Sequence, residues 1–384
     1  MRRSVVLLVG VVAVATMVAG CASPGEEPAS GDEAGDASDP AGPGVTVDRG
    51  SHDGWPMLGQ DGANTGHAED ETGPGEAADE LWSTEYTWYR PVVADGLVVA
   101  THSDGVFALN SDDGEVQWNF TDGDGIGEYV NVRSAPAVGE DKVFFGDTDG
   151  AVYALHAENG DQAWTAETDR RILVSPTVAH GNVYVGSDDD TLYAFDAETG
   201  DEQWPYDTGG AVRSTPAVVD DTVYTAGRAE AVSALDAETG DELWTYEEPG
   251  SWMHGDVAVA EGMVYATSQD GNLYAVDAET GEEQWTLETD SNLESTPAVA
   301  DGLVYVGAPH LRALDAQTGE EEWSDEHPGD VPAVADGIVY VKGDGIHAHD
   351  AETGKELWSL DDRTGSSTMA IADGTLFANG LALE

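Results

Sequence analysis

The sequence has one cysteine, Cys21, and only three lysines among 384 residues. A single cysteine excludes an internal disulfide framework and a cysteine-based metal site. Basic residues number 14 against 76 aspartates and glutamates, which gives a formal net charge of −62. A surface of this sign repels nucleic acid phosphates and anionic lipid headgroups, so nucleic acid is not expected as a partner.

The excess of acid does not indicate a disordered chain. Hydrophobic residues make up 40% of the sequence and include 11 tryptophans, which is enough for a substantial core. An acidic, lysine-poor surface resembles those of proteins from extreme halophiles, in which salt screens the self-repulsion. We therefore expect a folded, salt-dependent protein of haloarchaeal character.

One apolar run extends from Val5 to about Val18. It is too short to span a bilayer comfortably, so residues 1–21 are predicted to be an export signal. The letters VAGC that end at Cys21 resemble the lipobox of secreted lipoproteins, which implies lipid attachment at that cysteine. Arg2 and Arg3 are compatible with twin-arginine export, and the general secretory route stays open. The expected location is the extracellular face of the cytoplasmic membrane.

Residues 22–50 consist almost entirely of Gly, Pro, Ser, Ala, Asp and Glu. Such a composition cannot offset the entropy of ordering, so we expect a disordered acidic tether. A lead-in segment is assigned to residues 51–76, and a repeat domain to residues 77–384.

An 11-residue unit recurs in seven complete copies, 35 to 46 residues apart, and five of them match the pattern A-x-D-x-x-T-G-x-x-x-W; Asn110 and His156 replace the Asp in the other two. This period suits a propeller blade or a two-helix solenoid. Short β-branched and aromatic runs between the copies, and the absence of helical periodicity, favour strands. Two-residue turns predict eight hairpins, at Asp95-Gly96, Glu140-Asp141, His180-Gly181, Asp220-Asp221, Glu261-Gly262, Asp301-Gly302, Asp336-Gly337 and Asp373-Gly374.

The eighth hairpin lacks a following unit, because the sequence stops at Glu384 where the next unit would start. Trp82, in the context ELW, precedes the first hairpin and follows none. An N-terminal strand that completes the last blade would close the ring and leave no open edge. The predicted fold is all-β, an eight-bladed β-propeller of four-stranded blades.

The repeated unit resembles the tryptophan-docking repeat of the pyrroloquinoline quinone (PQQ)-like propellers, and the lead-in letters GWPMLGQDGANTG resemble the segment that precedes them. This family includes quinoprotein alcohol dehydrogenases and the non-enzymatic outer-membrane assembly lipoprotein BamB. We expect the third-position aspartate to cap the turn and the tryptophan to pack between blades. The docking residues are Trp82, Trp118, Trp164, Trp204, Trp244, Trp285, Trp323 and Trp358.

The family's enzymes, as the resemblance implies, hold PQQ with an adjacent-cysteine disulfide, a stacking tryptophan and a calcium or lanthanide ion. This chain has no second cysteine and is shorter than those enzymes, so we expect no catalytic residue and no cofactor. His347 and His349 share a strand face without an evident third ligand, so a packed role is expected. Asp147 and its neighbours only superficially resemble a calcium loop and are interpreted as a turn with solvated carboxylates. No metal site is predicted.

Most basic residues after residue 77 lie in blade-to-blade connections or in turns between second and third strands, which share one end of a propeller. Arg133, Arg213 and His254 stand three residues before an innermost strand, so they should ring the channel mouth. Trp252 maps to the same end. An anion or an acidic peptide would suit such a site, although local aspartates could pair with each arginine instead. The candidate binding residues are Trp88, Arg90, Arg133, Arg170, Arg171, Arg213, Arg228 and His254.

The function predicted from these features is that of a surface-anchored, non-enzymatic scaffold. It would bind an extracytoplasmic protein partner as a monomer, attached to the membrane by its lipid. Two alternatives stay open: a PQQ-dependent oxidoreductase that uses calcium, and a binding protein for a small anionic solute.

Overall fold

A computed structural model describes residues 54–55, 57, 61–62, 64–68, 71–75, 78–84, 90–102, 105–121, 131–289, 291–307, 310–325, 331–343, 345–361, 368–378 and 380–384. The chain forms two units, residues 1–44 and 45–384, and every described residue belongs to the second. The predicted export signal, Cys21 and the tether lie outside the described residues. Within the described part, no helix has the length and apolar character of a membrane span.

Every regular element in the described part of the chain is a β-strand. Three short strands come first: β1 (Gly54–Trp55), β2 (His67–Ala68) and β3 (Glu80–Ser83). Blade 1 contains β4 (Val92–Ala94), β5 (Leu97–His102), β6 (Gly105–Asn110) and β7 (Val116–Phe120), and blade 2 contains β8 (Ala137–Gly139), β9 (Lys142–Gly146), β10 (Ala151–His156) and β11 (Gln162–Glu167). Blade 3 contains β12 (Thr177–Ala179), β13 (Asn182–Gly186), β14 (Thr191–Asp196) and β15 (Glu202–Asp207), and blade 4 contains β16 (Ala217–Val219), β17 (Thr222–Ala226), β18 (Val232–Asp236) and β19 (Glu242–Tyr246).

The second half of the ring repeats the same plan. Blade 5 contains β20 (Ala258–Ala260), β21 (Met263–Thr267), β22 (Asn272–Asp277) and β23 (Glu283–Glu288), and blade 6 contains β24 (Ala298–Ala300), β25 (Leu303–Val306), β26 (Leu311–Asp315) and β27 (Glu321–Asp325). Blade 7 contains β28 (Ala333–Ala335), β29 (Ile338–Lys342), β30 (Gly345–Asp350) and β31 (Glu356–Asp361), and blade 8 begins with β32 (Ala370–Ala372), β33 (Thr375–Ala378) and β34 (Leu381–Leu383).

Strand β3 supplies the outer strand of blade 8. It pairs antiparallel with β34, and Trp82 lies opposite Ala382. In the other blades four consecutive strands pair in order from the channel outwards. The predicted eight-bladed β-propeller, closed by an N-terminal strand, is therefore confirmed.

The eight predicted hairpin turns have the left-handed backbone that their sequences favour. In the first turn Asp95 has φ +50° and Gly96 has φ +73°. All the other turns have positive φ at both residues except the one at Asp220, where only the first residue does. Left-handed backbone at both positions matches the right-handed twist of a two-residue hairpin.

Tryptophan side chains join each blade to the next. Seven docking tryptophans donate the indole N–H to a main-chain carbonyl of the following blade, and Trp358 donates to a carbonyl in the segment before β3, all at 2.7 to 3.0 Å. The pairs are Trp82 to Ser111, Trp118 to Ala157, Trp164 to Ala197, Trp204 to Ala237, Trp244 to Ala278, Trp285 to Ala316, Trp323 to Ala351 and Trp358 to Pro74. In seven of these contacts the ring covers the turn glycine of the next unit, where a Cβ would lie 2.5 to 2.7 Å from it.

The third-position aspartates cap the turn that ends on this glycine. Asp196 Oδ1 accepts hydrogen bonds from the main-chain N–H groups of Glu198 and Thr199 and from the Thr199 hydroxyl. Hydrogen bonds from the following threonine lower the pKa of this carboxyl and of its equivalents Asp236 and Asp315. Asp147, in another turn, departs from the solvated role expected for it: it is buried, and its Oδ1 accepts from three main-chain N–H groups.

The described residues between 54 and 75, which we call the channel strap, line the inner edges of the blades. Strand β1 pairs with β4 of blade 1, and β2 pairs in parallel with β28 of blade 7. Single hydrogen bonds join the strap to innermost strands of other blades: Val178 N–H to Met57 Sδ, Val218 N–H to the Gly62 carbonyl, Val299 N–H to the Thr65 carbonyl and Asp373 N–H to Glu71 Oε2. The strap therefore follows the channel wall from blade 1 to blade 8.

Candidate functional site

The blade-to-blade connections place one residue per blade at equivalent positions around the channel, at the end we call the mouth. Val132, Val212 and Met253 each form a β-bridge with the turn of their own blade. The residues that follow them are Arg133, Arg213 and His254. The sequence spacing that grouped these three side chains therefore matches their backbone geometry.

Two further members of this ring complete the described part of the mouth. The main-chain N–H groups of Ile172 and Leu293 bond to the preceding blade in the same way as Val212 does, so Leu173 and Glu294 are equivalent to Arg213. Sequence analysis missed Glu294, although it stands three residues before a proline just as Arg213 does. The ring thus combines basic, acidic and apolar side chains.

Asp188 neutralises two of the predicted arginines. Arg213 Nη2 donates to Asp188 Oδ2 at 2.9 Å, and Arg213 Nε lies 2.6 Å from Oδ1. Arg171 Nε contacts the same carboxylate. The Asp188 side chain is only 8% exposed, so a buried carboxylate holds the two guanidinium groups together. For these two arginines the alternative of a local aspartate partner is the one observed.

Arg228 makes a different contact. Its Cζ lies 4.4 Å from the centroid of the Trp252 ring, and Trp252 stacks on His254 with centroids 6.1 Å apart. No carboxylate among the described residues lies within ion-pair distance of Arg228. Trp252 is 40% exposed. The three side chains form a cation–aromatic cluster that is open to solvent on the tryptophan side.

Two nitrogen atoms in this cluster are buried and have no hydrogen-bond partner among the described residues: Arg228 Nε and His254 Nε2. Burial lowers the pKa of His254, Arg228 and Arg213 add to the shift, and Glu294 opposes it. His254 is therefore neutral at neutral pH and offers either a donor or an acceptor, according to its tautomer. Buried polar nitrogens without partners favour a ligand group that can supply the missing hydrogen bonds.

The remaining predicted residues are not brought into this cluster. Arg133 and Arg170 are exposed, and Arg170 reaches only the Asp188 carbonyl, at 3.5 Å. Arg90 is half-buried at the start of blade 1. Trp88 lies outside the described residues. The structure thus gathers Arg171, Arg213, Arg228 and His254 on blades 3 to 5.

Below the ring, hydrogen bonds tie neighbouring connections together. Asp256 Oδ1 accepts from the Thr215 N–H at 2.5 Å, and Asp256 Oδ2 accepts from the Thr296 hydroxyl at 3.0 Å. Asn64 of the channel strap lies next to this layer, 1% exposed, and its amide donates to the carbonyls of Thr215, Pro216 and Val257 at 3.1 to 3.2 Å. The strap therefore forms part of the floor of the mouth.

A family model described as the outer membrane protein assembly factor BamB matches residues 70–173, 150–254, 231–331 and 310–381. The chain belongs to this BamB-type family. The overlapping matches span nearly the whole propeller, consistent with its internal repeat. A comparison with curated proteins found no match.

Solved structures with the same fold include both assembly factors and enzymes. BamB from Moraxella catarrhalis is 19% identical, with a TM-score of 0.64 over 80% of this chain and 97% of its own. A quinohemoprotein alcohol dehydrogenase from Comamonas testosteroni is 17% identical, with a TM-score of 0.68 over 84% of this chain and 76% of its own. A europium-containing methanol dehydrogenase is 16% identical, with a TM-score of 0.70 over 84% of this chain and 87% of its own. At these identities the likeness establishes the fold.

This BamB-type chain lacks the adjacent-cysteine disulfide that the resemblance to the quinoproteins implies for a PQQ site. The only cysteine is Cys21, far outside the propeller in the sequence. We derive no chemistry through a quinone.

Proposed function

We propose that the protein is a lipid-anchored, extracytoplasmic scaffold of the BamB type that binds an acidic segment of a protein partner at its mouth. It performs no catalysis in this role. Lipid attachment at Cys21 would hold the propeller at the outer face of the cytoplasmic membrane, and the acidic tether would let the mouth reach its partner.

The observation that carries this proposal is the cluster of Arg228, Trp252 and His254. Arginine and tryptophan are the residue types that most often dominate the energy of protein–protein contacts. The exposed face of Trp252 offers apolar area, and the Arg228 guanidinium can bind a carboxylate in bidentate fashion. A peptide with an acidic residue beside an apolar one would match both features.

The charge of the rest of the molecule sharpens this selectivity. A body with a net charge of −62 repels acidic partners everywhere except where cations gather. Arg228 and the exposed Arg133 and Arg170 have no carboxylate among the described residues within ion-pair distance. An acidic segment would therefore be directed towards blades 2 to 5.

The test is an affinity capture from native high-salt membranes with three forms of the lipidated protein. The wild type is compared with an Arg228→Glu/Trp252→Ala double variant and with Lys355→Glu. Lys355 is exposed in a turn at the opposite end, so its variant makes the same charge change away from the mouth. We expect partners that the wild type and Lys355→Glu retain and the double variant loses. An identical set of proteins from all three forms would contradict the proposal.

Two alternatives give different results in binding assays with purified protein. A quinone-dependent oxidoreductase, favoured by the fold shared with the dehydrogenases, would show a stoichiometric absorbance or fluorescence change on addition of PQQ and calcium. A solute-binding protein would bind a small anion such as citrate saturably, and Arg228→Glu would abolish that binding. A scaffold for acidic peptides shows neither response.

A further inference from the structure

A buried histidine occupies an apolar position of the repeat in blade 7. His349 is fully buried at the second position of the 11-residue unit. The other blades carry Leu109, Leu155, Phe195, Leu235, Val276 and Leu314 at that position, all buried. An imidazole gains less than an aliphatic side chain from such burial, because it loses its hydration. The imidazole ring stacks on Trp323 with centroids 6.5 Å apart, a contact that does not require a polar side chain.

A second histidine and a carboxylate stand beside it. His347, two residues earlier on β30, faces the same side of the sheet, and the two rings stack with centroids 6.4 Å apart. Glu356 comes from the adjacent strand β31, and its Oε2 lies 3.3 Å from His347 Nδ1. The potential ligand atoms of the three residues all lie within 4.8 Å of one another. Sequence analysis found no third ligand, because Glu356 lies on another strand inside the repeated unit.

The surrounding hydrogen bonds orient these groups as metal ligands are usually oriented. His349 Nδ1 lies 3.3 Å from the Gly354 carbonyl. A carbonyl can only accept, so Nδ1 carries the proton and the buried Nε2 carries the lone pair. Ser359 donates to Glu356 Oε1 at 3.2 Å, which leaves Oε2 to face the histidines. Metal-bound histidines and carboxylates commonly have such outer partners, which fix their orientation.

Charge and access also suit a cation. The position equivalent to His347 in blade 6 is Arg312, which faces Glu321 at 3.7 Å, so a positive group opposite this carboxylate recurs in the neighbouring blade. Asp325 on blade 6 adds a second negative charge near His349. The Glu356 side chain is 38% exposed and gives an ion a route from solvent.

We propose that His347, His349 and Glu356 bind a divalent first-row transition metal ion, with Zn²⁺ as the best match. Two nitrogens and one carboxylate oxygen suit Zn²⁺, whereas calcium and magnesium prefer oxygen ligands alone. Bonds of about 2.0 to 2.1 Å at tetrahedral angles place two ligands roughly 3.3 Å apart. The His347–Glu356 pair already has that separation, and a small rotation of His349 would complete the set. The ion would join β30 to β31 at the interface with blade 6.

The test uses the full chain in high-salt buffer after treatment with a chelator. Cobalt(II) is titrated in and its visible absorption is recorded, because four-coordinate cobalt with imidazole ligands absorbs far more strongly than cobalt held by water and surface carboxylates. We expect saturation at one equivalent per chain, and displacement by one equivalent of Zn²⁺. The melting temperature of the wild type should rise with Zn²⁺.

Three variants distinguish cobalt binding at this site from cobalt binding to surface carboxylates. His349→Leu installs the residue of other blades, so it should fold, and it should weaken cobalt binding at least about tenfold. Glu356→Gln removes a ligand at an exposed position and should also weaken binding. His156→Asp, at an exposed histidine of blade 2, restores the residue usual at its place in the unit and should leave binding unchanged. Equal cobalt spectra for the wild type and both ligand variants, or no such band in the wild type, would overturn the proposal.

Discussion

Trp358 donates its indole N–H to the carbonyl oxygen of Pro74, 3.0 Å away and 284 residues earlier in the sequence. The same carbonyl accepts a hydrogen bond from the Tyr340 hydroxyl at 3.1 Å. In blades 3 to 6 the acceptor for the corresponding tryptophan and tyrosine is a carbonyl of the next repeated unit. Blade 8 has no such unit after its third strand, and the channel strap supplies the acceptor in its place.

This substitute acceptor can be tested by removing its two donors. Trp358→Phe or Tyr340→Phe should each lower the free energy of unfolding by about 0.5 to 1.5 kcal/mol. The double variant leaves the buried Pro74 carbonyl without either donor, and we expect a further loss of about 1 to 3 kcal/mol beyond the sum. Thermal and denaturant unfolding in high salt provides the measurement. If the losses of the two single variants simply add up in the double variant, water replaces both donors at the Pro74 carbonyl.

Two turn glycines with the same φ allow the cost of backbone strain to be measured separately from the cost of displacing a docked tryptophan. Gly181 and Gly240 both have φ +72°, but a Cβ on Gly181 has no neighbour within 4 Å, whereas one on Gly240 would lie 2.6 Å from the Trp204 ring. Gly181→Ala should cost about 1 to 2 kcal/mol from the left-handed backbone alone. Gly240→Ala should cost about 1 to 3 kcal/mol more, because the ring must move. Equal melting temperatures for the two variants would rule out this steric role.

A substitution at Asn64 tests how much the channel strap contributes to the stability of the fold. Asn64→Asp keeps the shape and the tolerance for positive φ, but a carboxylate cannot donate to the carbonyls of Thr215, Pro216 and Val257. We expect a loss of about 1 to 3 kcal/mol or more, since buried acceptors lose their donor. Asn119→Asp, at an exposed position of β7, is the control and should change the melting temperature little. A similar effect of both variants would mean that the strap contributes little stability.

Buried tyrosines predict a loss of stability at alkaline pH. Burial raises the pKa of Tyr224 to about 12, whereas an unfolded tyrosine ionises near pH 10. Between these values the unfolded chain releases a proton that the folded chain keeps, so the free energy of unfolding falls as the pH rises. Over the window Tyr224 contributes about 2 kcal/mol of this loss. Unfolding of Tyr224→Phe from pH 9 to 12 should show a shallower decline, and an unchanged slope would contradict the assignment.

The net charge predicts salt dependence. At about 0.1 M salt, charges interact over roughly 10 Å, and at about 1 M over roughly 3 Å. A chain with a formal charge of −62 should therefore melt at a progressively lower temperature as KCl is reduced from molar concentrations. Calorimetry in KCl and NaCl at equal ionic strength checks this, because screening alone predicts similar curves. A melting temperature that does not change with salt would contradict the halophilic interpretation.

The repeat made the fold predictable, and the reason is physical. Each copy of the unit encodes the same turn, glycine and tryptophan, so seven repetitions reinforce one interpretation. Trp82, which precedes the first hairpin, indicates how the ring closes. Tyr340 and its equivalents were not recognised as donors, because a tyrosine in a strand has many possible partners until the next blade is in place.

The mouth was less predictable than the fold. Spacing placed Arg213 and His254 correctly, because position in a connection follows from the repeat. Whether a mouth arginine is neutralised depends on the turn between the second and third strands of a blade. Asp188 and Arg228 occupy equivalent positions in two such turns and carry opposite charges. Sequence position alone could not show that Asp188 binds Arg171 and Arg213 while Arg228 stacks on Trp252.

The channel strap also constrains the order in which the molecule can form. The strap leaves the ribosome before the blades, yet its partners include β28 of blade 7 and Asp373 of blade 8, and Trp82 must wait for β34. Contacts between residues so distant in sequence form slowly. Until β34 has emerged, β3 has no strand to pair with, and the ring exposes open strand edges, which are prone to pairing with other chains. We therefore expect ring closure to be a late event in folding.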